Sequence, residues 1–253
     1  MFFISTLLLV TVVNSISVNA SDLAKEKRWA EQVVDSIMDG DAVWLNDGKS
    51  EYLGIYTQAE ENKKRAVIIM HGTGIHPDWQ QVVQPLRVSL TEYNWNTLSI
   101  QMPILANEAE YEEYAPLYDE VAPRIDAAID FLKKKGITEI VLIGHSQGSS
   151  MTAYYLSIAK KDIKGFVAIG MAALAKDVRM NSIKSLEKIS VPVLDLYGSE
   201  DLENIINSAS QRVMAAKKAK NTKYIQRQIK GNHFFDGEED ALVGIVAKWI
   251  EKL

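Results

Sequence analysis

Gly144-His145-Ser146-Gln147-Gly148 stands directly after the apolar run 140–143 and opens a stretch of helical period. A turn of this kind between a strand and a helix lifts a serine hydroxyl clear of a sheet on strained backbone, where it can act as a nucleophile. Its two glycines are expected to be small because neighbouring backbone passes close to the turn. A second turn, His71-Gly72-Thr73-Gly74, follows the apolar run 66–70. It can aim a backbone N–H at the carbonyl oxygen that becomes negative when Ser146 attacks. The expected donors are Gln147, the residue after the nucleophile, and Thr73, with Gly74 as the alternative to Thr73.

An acid and a base are needed to activate the serine, and both occur later in the chain. Val193-Leu-Asp-Leu-Tyr-Gly-Ser-Glu-Asp201 is an apolar strand running into a Gly-containing loop, with Asp201 at its mouth. Glu200 is a rival, and so is Asp195, whose place inside the strand suits structural hydrogen bonding better. His233, in Gly231-Asn-His-Phe-Phe235, follows the last strand pattern and precedes the last helix pattern. A base there can reach Ser146 with one ring nitrogen and the acid with the other. His71 and His145 are expected as packed support within the two turns. His76 overhangs the same rim, and Tyr111 and Tyr114 lie in a Tyr- and Glu-rich stretch, 102–118. These three are expected to line a substrate site.

The elements that must position these residues are legible from periodicity. Residues 21–39 carry apolar side chains at helical spacing, and Gly40 closes them. Residues 42–45 and 51–56 flank Asn46-Asp47-Gly48, a hairpin turn signal. Runs at 66–70, 97–100, 140–143, 166–169 and 193–197 are continuously apolar, as strands buried on both faces are. Helices are expected at 80–92, 112–134, 147–160 and 203–218, then a strand at 224–229 and a closing helix at 236–253. The alternation predicts an α/β fold with a mostly parallel sheet and helices on both faces. No repeat or linker interrupts it, so 21–253 is expected as one domain.

Composition narrows the chemistry. The 253 residues are 47% hydrophobic and 24% charged, which excludes intrinsic disorder. A net charge of −5 argues against a nucleic-acid partner. With no cysteine and four histidines lacking His-Glu-x-x-His spacing, neither a metal nor another cofactor is expected. Residues 1–20 are uncharged and apolar from Phe2 to Val13, ending Val18-Asn19-Ala20. This is the pattern of a signal peptide cut after Ala20, with a retained N-terminal membrane anchor as the alternative. A periplasmic or secreted protein is expected, with peripheral membrane or envelope association open to it.

The elbow at 144–148, the His71-Gly72 turn, Asp201 and His233 together resemble the α/β-hydrolase superfamily, from about Arg65 to Leu253. The chain looks most like exported bacterial α/β-hydrolase-like proteins of uncharacterised activity, in which a His-Pro-Asp-Trp loop follows the oxyanion turn and Asp-Leu-Tyr-Gly ends the acid strand. The resemblance implies an acyl-enzyme mechanism on a carboxylic ester or related acyl bond, with Ser146, Asp201 and His233 as catalytic residues. Many relatives insert a helical cap between the sixth and seventh strands. Here only 170–190 is available, so no large cap is expected and 102–118 is the candidate roof. An open cleft suits a small-molecule or a polymer-linked acyl substrate. The other reading is a catalytically silent fold serving as an envelope binding or assembly module.

Overall fold

The computed structural model describes residues 20–61 and 64–253; all but Ala20 of the segment 1–20 expected as a signal peptide lies outside the described residues. The elements in chain order are α1 (Leu23–Val34), β1 (Asp41–Asn46), β2 (Glu51–Thr57), β3 (Arg65–Met70), α2 (Val83–Ser89), β4 (Asn96–Ile100), α3 (Tyr118–Lys134), β5 (Glu139–His145), α4 (Gln147–Ile158), β6 (Gly165–Ile169), α5 (Ser182–Leu186), β7 (Val193–Glu200), α6 (Glu203–Asn207), α7 (Ala209–Lys218), β8 (Tyr224–Asn232) and α8 (Glu239–Ile250). The strands form one eight-stranded sheet in the order β1-β2-β4-β3-β5-β6-β7-β8. β1, β2 and β4 pair antiparallel, and every other neighbouring pair is parallel. This is the α/β-hydrolase fold.

The continuous apolar runs become central strands because each buries both faces. Ala66, Ile68 and Met70 of β3, Ile140 and Leu142 of β5, and Phe166 and Ala168 of β6 enter the core shared with α3 and α4. Their alternates Val67, Ile69, Val141, Ile143, Val167 and Ile169 enter the opposite core, with α2 and α8. Period-2 alternation therefore splits each run between two helix layers. α1 covers Leu53 and Ile55 of β2 with Ala30 and Val33. The hairpin forms as its sequence implies: Gly48 has φ +90°, and the Asp47 carboxylate accepts from the N–H groups of Lys49 and Ser50.

The expected helices at 21–39, 147–160 and 236–253 form with shorter ends, and three others are interrupted, each for a local reason. The one expected at 80–92 is α2 followed by a 3₁₀ turn, Leu90–Tyr93, which ends on Asn94 at φ +60°. The one expected at 112–134 begins as a 3₁₀ segment, Tyr111–Leu117, because Pro116 cannot donate to a regular α-helix. The third divides at Ser208, whose hydroxyl bonds back to the Asn204 and Ile205 carbonyls. Between β6 and β7 stand only loops and α5, so no large cap interrupts the sheet there.

Candidate active site

Ser146 sits between β5 and α4 at φ 54°, ψ −123°, backbone that L-residues adopt only when the surroundings enforce it. The surroundings here are backbone on two sides. A Cβ on Gly144 would lie 2.6 Å from the Ser149 nitrogen, and one on Gly148 would lie 2.4 Å from the Met70 and His71 carbonyl oxygens. Ser149 pins the turn from within: its hydroxyl donates to the Gly144 carbonyl and accepts from Ile169 N–H at 3.0 Å. Ser146 N–H itself donates to the Ile169 carbonyl at 2.8 Å.

The structure brings three of the expected residues into one line. His233, on the loop between β8 and α8, places Nε2 3.0 Å from Ser146 Oγ and Nδ1 2.7 Å from Asp201 Oδ1. Asp201, just past β7, also accepts from Gly198 N–H at 3.1 Å and Leu202 N–H at 2.8 Å. Burial works to raise its carboxyl pKa. The His233 hydrogen bond and charge, with the two backbone donors, outweigh burial and hold it below the ordinary value. With Nδ1–H held on the carboxylate, Nε2 faces the serine as an acceptor.

Neither rival acid reaches the ring. Asp195 is wholly buried in β7, accepting from Arg212 Nε at 2.7 Å, Gln226 Nε2 at 2.8 Å and the Tyr224 hydroxyl. Glu200 is exposed and pairs through its backbone with Asn232.

The two turns meet around a cavity of about 200 Å³ lined by Gly72, Thr73, Ile75, His145, Ser146, His233 and Phe234. Gln147, as the first residue of α4, offers an N–H that no preceding helical turn can use. His71 fixes the other turn. Its Nε2 accepts from Met102 N–H at 2.9 Å, so Nδ1 carries the proton that it donates to the Gly72 carbonyl. Burial depresses this ring to a pKa of about 3, so it stays neutral. His145 donates from Nε2 to the His233 carbonyl at 3.0 Å, tying the base's loop to the elbow. Burial first, and then His233, lower its pKa to about 4.

The three expected lining residues are placed differently. His76 is held edge-on between Trp29 and Trp79 and lines a separate cavity of about 600 Å³ with Gln32, Met38 and Gln84. It does not line the cavity at Ser146, because its loop is fastened to α2 by the buried Arg87–Asp78 pair and to β4 by Ser99 Oγ on the Pro77 carbonyl. Tyr114 is buried, its hydroxyl accepting from Leu105 N–H near Gly74. Tyr111 turns its hydroxyl toward Tyr118 and Ser150 in the core behind α4. Both tyrosines thus hold the 102–118 segment in place, and neither lines the Ser146 cavity.

Gly170 and Phe234 were not expected from the sequence. Gly170 ends β6 at φ +56°, and a Cβ there would stand 2.9 Å from His233 Cε1, so its bareness makes room for the ring. The signal was available: a glycine at the carboxyl end of an apolar strand, as at Gly72 one residue beyond β3. Phe234 packs against His145 and His233 at the cavity wall. Among the described residues no cluster of three or more His, Asp or Glu side chains is set to hold a metal ion.

Comparison with known proteins agrees with this architecture. A family model described as "Protein of unknown function (DUF3530)" matches residues 19–123 and 106–252. No curated protein matches the sequence. Among solved structures, the fold is similar to Est1E from Butyrivibrio proteoclasticus with bound ferulic acid (TM-score 0.66, 19% identity, covering 83% of this chain and 98% of that one). It is similar also to the Pyrococcus furiosus esterase Pf2001 (TM-score 0.67, 16% identity, 84% and 91%). An alpha-beta serine hydrolase homologue from Coxiella burnetii is a further match (TM-score 0.66, 16% identity, 84% and 98%).

Proposed function

The chain belongs to the DUF3530 family, proteins of unknown function, and from its site we propose a serine hydrolase that cleaves a carboxylic ester through an acyl-enzyme. The observation that carries this reading is the unbroken line Ser146 Oγ, His233, Asp201, at 3.0 and 2.7 Å. His233 Nε2 takes the hydroxyl proton as Ser146 attacks the acyl carbon, and Asp201 stabilises the imidazolium that forms. The N–H groups of Gln147 and Thr73 receive the developing oxyanion. The imidazolium then protonates the leaving alkoxide, and the same base activates water to release the acid.

The small cavity beside Ser146 supports a short acyl group. About 200 Å³ lies below the roughly 300–1,000 Å³ of pockets that enclose a whole drug-sized ligand. The alcohol portion, small or polymer-linked, extends into the open cleft that a cap would otherwise roof. Structures of esterases with the same fold agree with this reaction class. The leader at 1–20 supports a site of action in the bacterial envelope, in the periplasm or outside the cell.

A fluorophosphonate probe tests nucleophile activation without knowledge of the substrate. Stoichiometric labelling is expected, absent in Ser146→Ala, whose ester turnover should fall by several orders of magnitude while its melting temperature stays unchanged. On p-nitrophenyl esters, acetate and propionate should be cleaved faster than octanoate. A folded wild-type protein that neither labels nor turns over any ester would favour the binding-module reading.

A further inference from the structure

The strongest unassigned feature is a buried carboxylate at the amino end of the described chain. Glu120, in the first turn of α3, is 8% exposed and takes part in no ion pair among the described residues. Its Oε1 accepts from the backbone nitrogens of Ala20 at 2.6 Å and Ser21 at 3.4 Å. The second of these is the nitrogen of the peptide bond at which the leader pattern ends, and the first lies on its leader side.

The position of Ser21 is held from outside the leader. Asp22 N–H donates to the Ile104 carbonyl at 2.8 Å, and the Asp22 side chain caps α1 on Lys25 N–H. Ser21 is itself buried, with its Oγ unpartnered. The corner is also short of positive charge. Glu26 and Asp47 both pair with one guanidinium, Arg124, at 2.9 and 3.4 Å. Lys25 turns its ammonium to the Leu105 carbonyl. Burial already pushes the Glu26 carboxyl up, and the Glu120 charge adds to that push. Glu120 is therefore a third carboxylate answered only by neutral amides, an unfavourable arrangement for a buried charge.

We propose that cleavage after Ala20 completes this cluster: the new α-ammonium of Ser21 pairs with Glu120, so that export processing finishes the fold. The step is hydrolysis of the Ala20–Ser21 amide by a leader peptidase. Water supplies the hydroxyl of the Ala20 carboxylate and the hydrogen gained by the Ser21 amine, which is protonated at neutral pH. A cut one bond earlier would set Asn19 before the scissile bond, where small side chains are required. This inference rests on the leader reading and is independent of catalysis.

Two measurements keep leader and ion pair distinguishable. Mass spectrometry of the exported protein should find Ser21 first; any other first residue overturns the proposal at the leader. Thermal unfolding of that mature protein is then compared with a leaderless form carrying a short tag fused ahead of Ala20, whose Ser21 nitrogen stays an amide. The mature form should melt higher by roughly 2–4 °C or more. Glu120→Gln, made in both forms, should abolish the difference, and Glu120→Asp, one methylene shorter, should diminish it. Equal melting of the two wild-type forms overturns the ion pair, and so does a difference that survives in Glu120→Gln. If Glu120→Gln does not fold, the wild-type comparison and Glu120→Asp decide: an undiminished gap in Glu120→Asp counts against the pair.

Discussion

Asp195 and Asp201 lie six residues apart on β7 and the loop that follows it, yet they have opposite surroundings. Asp195 faces Arg212, Tyr224 and Gln226 in a site from which water is excluded; its guanidinium partner is wholly buried and also bonds the Ile205 carbonyl and Ser208 Oγ. Asp201 stands at the carboxyl edge of the sheet, where its principal partner is a histidine ring still 11% exposed. One carboxylate closes a packed network, and the other orients a ring that can lose and regain a proton. What faces a carboxylate, more than its distance along the strand, decides which task it performs.

The largest effect is expected at the rim. Asp201→Asn should lower turnover by roughly 10³ to 10⁴, because an amide favours the wrong His233 tautomer and leaves the imidazolium uncompensated. Its melting temperature should barely move. Steady-state kinetics beside a thermal scan separate the two quantities.

Asp195→Asn should show the reverse. It leaves the Arg212 charge buried without a counter-ion, a loss of about 3–5 kcal/mol, which lowers the melting temperature on the order of 10 °C. Turnover per folded molecule should be unchanged. An inactive but stable Asp195→Asn, beside an active Asp201→Asn, would reverse the two assignments.

A smaller effect separates the networks by acid. His145 titrates near its ordinary value of 6.5 when unfolded and at about 4 when folded. Between those values the unfolded chain binds the extra proton, so stability is complete above pH 6.5 and declines as the pH falls toward 4. His71, lowered to about 3, extends the decline. The depressed Asp201 carboxyl acts at the acid end of this range: its contribution is present above the unfolded carboxylate value and is lost as pH falls through its folded value. Melting curves from pH 8 to 4 should drop by several degrees in wild type. Over pH 6.5–4 the drop should be roughly halved in His145→Gln, which keeps a side-chain N–H for the His233 carbonyl but cannot titrate, while the His71 share remains.

The central strands and the Ser146–His233–Asp201 line were legible in the sequence because both rest on local constraints. A strand buried on two faces admits only apolar residues, and a turn as tight as 144–148 admits only glycine at its ends. Asp195 and Asp201 were separable by position alone, since one lies inside an apolar run and the other after a glycine. The placement of His76 was not legible. It depends on Trp29, 47 residues earlier, and on the Arg87–Asp78 pair, contacts that no local pattern announces. Nor was the side on which Tyr111 and Tyr114 pack: composition marks 102–118 as Tyr- and Glu-rich, and only tertiary packing places Tyr114 in the core and Tyr111 against it. The split at Ser208 turned on side-chain bonding to carbonyls, which competes weakly with helix propensity.

The placement of His233 between the last strand and the last helix also sets an order in time. During synthesis the nucleophile is made some ninety residues before its base. Until β8 pairs with β7 and α8 closes over Leu194 and Leu196, Ser146 lacks the His233 ring as a partner for its hydroxyl. Under the proposed mechanism an unfinished or truncated chain is therefore expected to be inert, and probe labelling at Ser146 would report that the final segment has docked.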